Sequence, residues 1–369
     1  MTSIAEYIWL DGAKPTQELR SKARLVQVKS NHPAASDFPE WGFDGSSTYQ
    51  SEGRNSDLVL RPVRVVKDPI RGENNFLVLC EVYDSENNPH PSNTRAPLRA
   101  ILEAGGSAEE PWFGFEQEYA LYSDRTPLGW PEQGYPSPQG PFYCGVGDGK
   151  VYGREVIERH LAYCIAAGLH IYGINAEVMP SQWEYQVGYR GFDQDEADAL
   201  THCDHQWLAR WLLCRTAEEF GVAINFDNKP VKGDWNGSGC HTNFSTKAMR
   251  TKGKGLEVIT KATEALKKKH AEHIKVYGHG LAERLTGHHE TCSIHEFRSG
   301  VSDRGASIRI PLHVSKQGYG YLEDRRPGAN SDPYLVAARI LSTICDIEMP
   351  STASEKSADD ARKLVKALA

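Results

Sequence analysis

Six side chains suited to binding hard cations, Glu116, Glu118, Glu177, Glu184, His241 and Glu323, stand in five short segments that read as strands or loops. Such a set of hard-metal ligands points to a two-metal phosphate site. Glu116 and Glu118 lie two apart in Phe113-Gly114-Phe115-Glu116-Gln117-Glu118-Tyr119-Ala120-Leu121, whose apolar and aromatic residues favour a strand. Their side chains then share one face. Two anions buried together unpaired would cost roughly several kcal/mol each, a penalty that a divalent cation removes. Glu177 and Glu184 flank a Pro180-Ser181 turn, so they are expected to converge from the two strands of a hairpin and face one another.

Three further segments carry polar chemistry. In Asp234-Trp235-Asn236-Gly237-Ser238-Gly239-Cys240-His241-Thr242-Asn243-Phe244-Ser245, a glycine-rich turn precedes a strand that opens with His241. Glycine lets backbone approach a ligand closely, and the following Asn243 and Ser245 suggest a nucleotide or phosphate neighbour. Arg284, Arg298, Arg304, Arg309, Arg325 and Arg326 offer guanidinium forks for carboxylate or phosphate oxygens. Arg309, between Ile308 and Ile310, is expected to stand alone on one strand face with a ligand or partner. Glu290 lies in the glycine-led run Gly287-His288-His289-Glu290-Thr291, a loop that could move.

The elements that must position these groups fall into two regions. Residues 1 to about 90 read as short strands: 4–10, 24–29, 56–62, 63–67 and 75–83. The polar, proline-bearing segment 84–93 is the candidate boundary. Beyond it, helices are expected at 94–104, 153–167, 194–219 and 255–274 and from Asp332, and strands at 112–122, 170–179, 182–188, 222–226, 240–245, 292–297 and 305–312. The expected division is 1–92, 93–350 and a charged tail, 351–369.

The chain has 369 residues, a net charge of −7 and pI near 6.1, which argues against a nucleic-acid or membrane binder resting on bulk electrostatics. Lys267-Lys268-Lys269-His270 reads as the solvated face of a helix. The eight cysteines contain no Cys-x-x-Cys pair, the first ten residues carry no signal pattern, and no apolar run has membrane length. A cytoplasmic home is therefore expected.

Taken together, the motifs resemble the type II, eukaryote-like glutamine synthetase family over nearly the full chain. The resemblance rests on Trp41-Gly42-Phe43-Asp44-Gly45-Ser46-Ser47-Thr48, Gln139-Gly140-Pro141-Phe142-Tyr143-Cys144-Gly145-Val146-Gly147, Asn175-Ala176-Glu177-Val178-Met179-Pro180, Ala306-Ser307-Ile308-Arg309-Ile310-Pro311 and Tyr321-Leu322-Glu323-Asp324-Arg325-Arg326-Pro327, beside the segments around Glu116 and His241. It implies an α+β fold, with a small N-terminal β-grasp domain followed by a larger catalytic domain whose curved antiparallel sheet is flanked by helices. It further implies a homo-oligomer, a decamer of two pentameric rings with active sites between subunits.

By matched position, the resemblance assigns one Mg2+ or Mn2+ ion to Glu118, Glu177 and Glu184 and a second to Glu116, His241 and Glu323. It makes Asp44, Glu290, Arg304 and Arg325 catalytic, and places L-glutamate at Asp234, Trp235, Arg284, Arg304 and Arg325. ATP, as co-substrate, falls to Glu116, Glu184, Tyr185, Gln186, Asn243, Phe244, Ser245, Arg304, Arg309, Tyr321, Leu322 and Glu323. The implied reaction joins ammonium to glutamate through γ-glutamyl phosphate, with a γ-glutamyl-amide ligase using another amine as the alternative. Departures from the family pattern are Asp234, where many members have Asn, the stretch Tyr189-Arg190-Gly191-Phe192-Asp193, and Cys292-Ser293-Ile294-His295-Glu296 after the Glu290 loop.

Overall fold

The structure, a computed structural model, describes residues 2–350. Strands β1 (Thr2–Leu10), β2 (Leu19–Gln27), β3 (Trp41–Asp44), β4 (Asp57–Lys67) and β5 (Phe76–Tyr83) form one sheet in the order β2-β1-β5-β4-β3. Only β1 and β5 run parallel; the other pairs are antiparallel. This is the expected β-grasp domain. Two of its expected strands, 56–62 and 63–67, are one strand with a register shift between Pro62 and Arg64, because proline lacks the N–H that a regular ladder needs. Strand β3, which ends at Asp44, was not anticipated.

After segment 84–93 comes α1 (Arg95–Glu103), and then β6 (Trp112–Ser123), the centre of a nine-stranded sheet. The main path also uses β8 (Ile171–Ala176), β9 (Gln182–Gly188), β11 (Cys240–Ser245), β12 (Ser299–Val301), β13 (Ile308–Ile310) and β14 (Leu322–Asp324), in the order β12-β13-β14-β11-β6-β9-β8. The short β7 (Thr126–Pro127) and β10 (Ala223–Asn225) also pair with β6. All these pairings are antiparallel except β12 with β13. The 292–297 strand does not form: that segment is turns and loop, and pairing resumes only at Ser299. The long lysine-bearing helix divides at Lys269 into α4 (Gly255–Lys268) and α5 (His270–Ile274), and two short helices, α6 (Leu281–Arg284) and α7 (Leu312–Gln317), follow.

Helices cover the face of this sheet opposite the carboxylates. The main ones are α2 (Arg154–Ala167), α3 (Ala199–Glu219) and α8 (Pro333–Cys345), joined by α4. Helix α3 starts at Ala199 rather than 194, where the Asp198 side chain accepts from the Thr201 N–H as its N-cap. The N-terminus of α8 is as expected, with the Asp332 carboxylate accepting from Tyr334 N and Pro333 in the first turn. Buried on nearly all sides, α3 anchors the sheet through polar groups as well as packing. Gln117 is fully buried between the two β6 glutamates, and its Oε1 accepts from Gln206 Nε2 at 2.7 Å and Arg210 Nη2 at 2.6 Å. Turning Gln117 toward α3 turns Glu116 and Glu118 to the opposite face. Asp204 on α3 ties the two domains together, accepting from Arg95 Nε at 2.9 Å and from Arg64 Nε of β4 at 3.2 Å. No described helix is long and apolar enough to cross a membrane.

Candidate active site

The site is built on one face of six adjacent strands, and its order follows from register. In one row across the sheet, Arg309 pairs with Glu323, Glu323 with Asn243, Asn243 with Gly114, and Gly114 with Gly188. Two residues along, His241 lies opposite Glu116, and Glu116 opposite Gln186. Two further, Glu118 lies opposite Glu184, and Glu184 opposite Asn175. The period-2 alternation of strands therefore sends all these side chains to the same side. The paired glycines leave the floor open at one end: a Cβ at Gly188 would lie 3.0 Å from Gly114 Cα and 3.3 Å from Tyr172 Cε1.

Register also corrects the hairpin expectation. Glu177 falls just beyond β8, its N–H donating to Gln182 O at 2.8 Å, so it does not sit across from Glu184. The like charge directly opposite Glu184 is Glu118, an arrangement that costs stability unless a cation intervenes. Burial, with Glu116, Glu118 and Glu177 nearby, holds the Glu184 carboxyl well above its ordinary range. Burial and then the Glu118 charge push Glu177 up to about 8, and burial raises Glu118 to about 6 against the opposing pull of Arg284. The opposite end of the site differs in charge. Glu323, almost fully buried, accepts from Arg309 Nη1 and Arg325 Nη1, each at 2.6 Å. Cationic charge is thus concentrated around Glu323 and is scarce among Glu118, Glu177 and Glu184.

Between these ends stands His241. Its Nε2 accepts from Arg284 Nη2 at 2.9 Å, and its Nδ1 lies 3.5 Å from Glu116 and 3.6 Å from Glu323. Burial and the neighbouring arginines hold its pKa well below the ordinary value, so the ring is neutral at physiological pH. Among the described residues, two groups have potential ligand atoms within 4.8 Å of one another: Glu116, His241 and Glu323, and Glu118, Glu184 and His241. Carboxylate oxygens with one imidazole nitrogen are donors suited to magnesium or manganese, and the crowded carboxylates provide the negative charge that such an ion would neutralise. Glu177 is in neither group but lines the same cavity, where its Oε1 accepts from Asn175 Nδ2 at 2.9 Å.

That cavity, about 610 Å3, brings together Glu116, Glu118, Glu177, Glu184, His241 and Glu323 with Gln186, Asn243, Arg284, Glu290, Arg304, Arg309, Tyr321 and Arg325. The Tyr185, Phe244 and Leu322 side chains lie in the core beneath the sheet instead. Ser245 is buried, with its Oγ accepting from Arg250 Nη1 at 2.9 Å. Asp234 borders a neighbouring cavity, and Trp235 packs on Trp130 with ring centroids 5.2 Å apart. Asp44 is exposed on the edge strand of the N-terminal sheet and does not line the cavity of its own chain. Hydrogen bonds from Ser46 and Ser47 draw its carboxyl down to about 2.

Several lining residues were not singled out from sequence: Tyr143, Tyr172, Asn175 and Asn236. The period-2 rule applied outward from Glu177 would have found Asn175, and the glycine-rich turn already contained Asn236. Tyr172 gives no such signal, because a register shift between Ile171 and Gly173 makes it the extra residue of a bulge.

The fold and site have close counterparts among known proteins. A family model described as the glutamine synthetase β-grasp domain matches residues 1–85, and one described as the glutamine synthetase catalytic domain matches residues 93–271. The chain is 54% identical over 348 residues to glutamine synthetase of Streptomyces viridochromogenes, covering 94% of this chain and 97% of that protein. It is likewise 54% identical over 350 residues to the chloroplastic glutamine synthetase of Chlamydomonas reinhardtii, covering 92% and 90%. A cryo-EM structure of Plasmodium falciparum glutamine synthetase, 17% identical, has the same fold, with a TM-score of 0.73 over 93% of this chain and 71% of that one. Matches of this extent and identity make the chain a member of the glutamine synthetase family, an ATP-dependent glutamate–ammonia ligase.

Proposed function

We propose that the chain is a type II, eukaryote-like glutamine synthetase that converts L-glutamate, ammonium and ATP to L-glutamine, ADP and phosphate through γ-glutamyl phosphate. The observation that carries this reading is the division of charge within one cavity, with crowded carboxylates at one end and arginines around Glu323 at the other. Phosphoryl transfer to a carboxylate brings anion against anion, so positive charge must be placed beforehand where the oxygens meet. Magnesium or manganese held by Glu118, Glu177 and Glu184 and by Glu116, His241 and Glu323 would supply much of that charge. Arg304 and Arg325 face the transferring phosphoryl group, and Arg284 orients glutamate with the Asp234-Trp235 loop.

The nucleotide lies toward Arg309, Asn243, Tyr321 and Gln186, over the open Gly114 and Gly188 floor. Backbone at Tyr185, Phe244, Ser245 and Leu322 shapes that end, with Glu116 and Glu184 bordering the phosphates. Glu290 closes over the acyl phosphate and keeps water from it. Asp44, which does not line the cavity of its own chain, serves a neighbouring subunit's site, where its low pKa keeps it anionic to bind ammonium. That sharing requires an oligomer, which we assign as a decamer of two pentameric rings in the cytoplasm. The direct test is ADP release with glutamate, ammonium and Mg2+ or Mn2+, read alongside glutamine formation. Release that required an alkylamine and ignored ammonium would favour a γ-glutamyl-amide ligase instead.

A further inference from the structure

We propose that His289 is a positioning residue that locks the Glu290 loop against the 234–236 loop, and so protects the acyl phosphate from water; this rests on the ligase reading above. The locking is a chain of three hydrogen bonds and one close imidazole–carboxylate contact among three separate segments. Asn236 N donates to Gln139 Oε1 at 2.7 Å, Gln139 Nε2 donates to Asn236 Oδ1 at 2.8 Å, Gln139 Nε2 lies 3.1 Å from His289 Nδ1, and His289 Nε2 lies 2.9 Å from Asp234 Oδ1.

Donor and acceptor roles along this chain follow from one fixed end. A backbone N–H only donates, so the Gln139 oxygen must face Asn236 N. The Gln139 amide nitrogen then faces His289 and donates to Nδ1. An Nδ1 that accepts leaves the proton on Nε2, the nitrogen 2.9 Å from Asp234 Oδ1. The Gln139 amide and the Asp234 carboxylate thus meet opposite nitrogens of one ring.

The consequence falls on the adjacent residue. His289 and Glu290 both have positive φ, 50° and 60°, a left-handed turn uncommon for side-chain-bearing residues. Thr291 Oγ1 donates to His288 O at 2.7 Å, and Arg325 Nη2 donates to Glu290 O at 3.4 Å, so the loop has few other polar ties. Asp234 is exposed, and its bond to His289 alone would be weak. It is the connection through Gln139 to Asn236, which lines the active-site cavity, that couples the position of Glu290 to the site.

An unlocked loop has a defined chemical outcome. A water oxygen bonds to the γ-carbonyl carbon, the carbon–oxygen bond to phosphate breaks, and phosphate leaves with the electron pair while the water's protons pass to solvent. Glutamate is regenerated, and ATP is spent as ADP and phosphate without amide formation.

The test measures ADP and glutamine in the full assembled enzyme, with and without ammonium. His289→Ala and Gln139→Ala are each expected to raise glutamate-dependent ADP released per glutamine roughly three- to ten-fold, the effect of losing one ordering hydrogen bond. The double variant should be no worse than either single one, since both break the same chain. If His289→Ala does not fold, Gln139→Ala decides alone. An unchanged ratio, or a parallel loss of ADP and glutamine, overturns the inference. A wild-type chain that makes no glutamine refutes the ligase reading and the inference with it; wild-type glutamine matching ADP, beside unchanged variants, refutes the inference alone.

Discussion

Replacing Glu118 by glutamine separates what the carboxylate does for folding from what it does for metal binding. In the metal-free chain Glu118 faces Glu184 across paired strands and accepts from Gly239 N at 2.8 Å. A glutamine oxygen can keep that bond, while its amide donates toward Glu184. Burial raises the Glu118 carboxyl from 4.5 to about 6. A raised acid pKa means that the folded state holds its proton longer than the unfolded chain, so ionisation opposes folding as pH rises through the interval. The penalty is complete above the folded value and corresponds to ~2 kcal/mol. At about pH 8 with chelator present, Glu118→Gln should therefore melt higher than wild type, by roughly 2–4 °C. Adding Mg2+ should reverse the order, because wild type gains linkage stabilisation that the variant lacks. Thermal unfolding by circular dichroism reads both conditions. A metal-free variant no more stable than wild type would refute the view that this carboxylate is held in place against its own repulsion.

Other consequences concern the remaining ligands and the assembly. Because Glu177 is pushed up to about 8 and Glu184 is held well above its ordinary range in the metal-free chain, metal binding at about pH 7 should release at least roughly one proton and tighten as pH rises. Calorimetry in two buffers of different ionisation enthalpy measures this, and a buffer-independent heat would count against it. Glu323→Gln removes the buried anion shared by Arg309 and Arg325 and should destabilise by ~3–5 kcal/mol while abolishing metal-dependent turnover. Denaturant melts and ADP assays would reveal either failure. Asp44→Ala and Glu290→Ala should each be inactive alone, but randomly mixed subunits should recover up to about a quarter of wild-type activity if sites are shared. Mixtures that stay inactive despite confirmed exchange would place Asp44 outside the neighbour's site.

Much of the site was legible because strand chemistry has a short period. The Glu-Gln-Glu spacing in β6 placed Glu116 and Glu118 on one face, and the structure adds that Gln117 is anchored to Arg210 and Gln206 beneath. The isolated arginine at 309 has the partner expected of it, Glu323. What failed depended on long-range register. Glu177 and Glu184 flank a turn, yet the pair that sits opposite comes from different segments, Glu118 and Glu184, because β9 also pairs with β6. Tyr172 enters the cavity only through a bulge, which no alternation pattern predicts. The 292–297 segment has strand-like residues but no partner ladder, so its local propensity is not realised. The 351–369 tail lies outside the described residues.

The central claim, ammonia ligation to glutamate, is tested most directly by incubating the purified enzyme with ATP, Mg2+, L-glutamate and either ammonium or a panel of alkylamines, and quantifying amide product against ADP. The account predicts glutamine formed in step with ADP when ammonium is present, and little amide from the larger amines. ADP release with no glutamine, or amide formed only from an alkylamine, would contradict it.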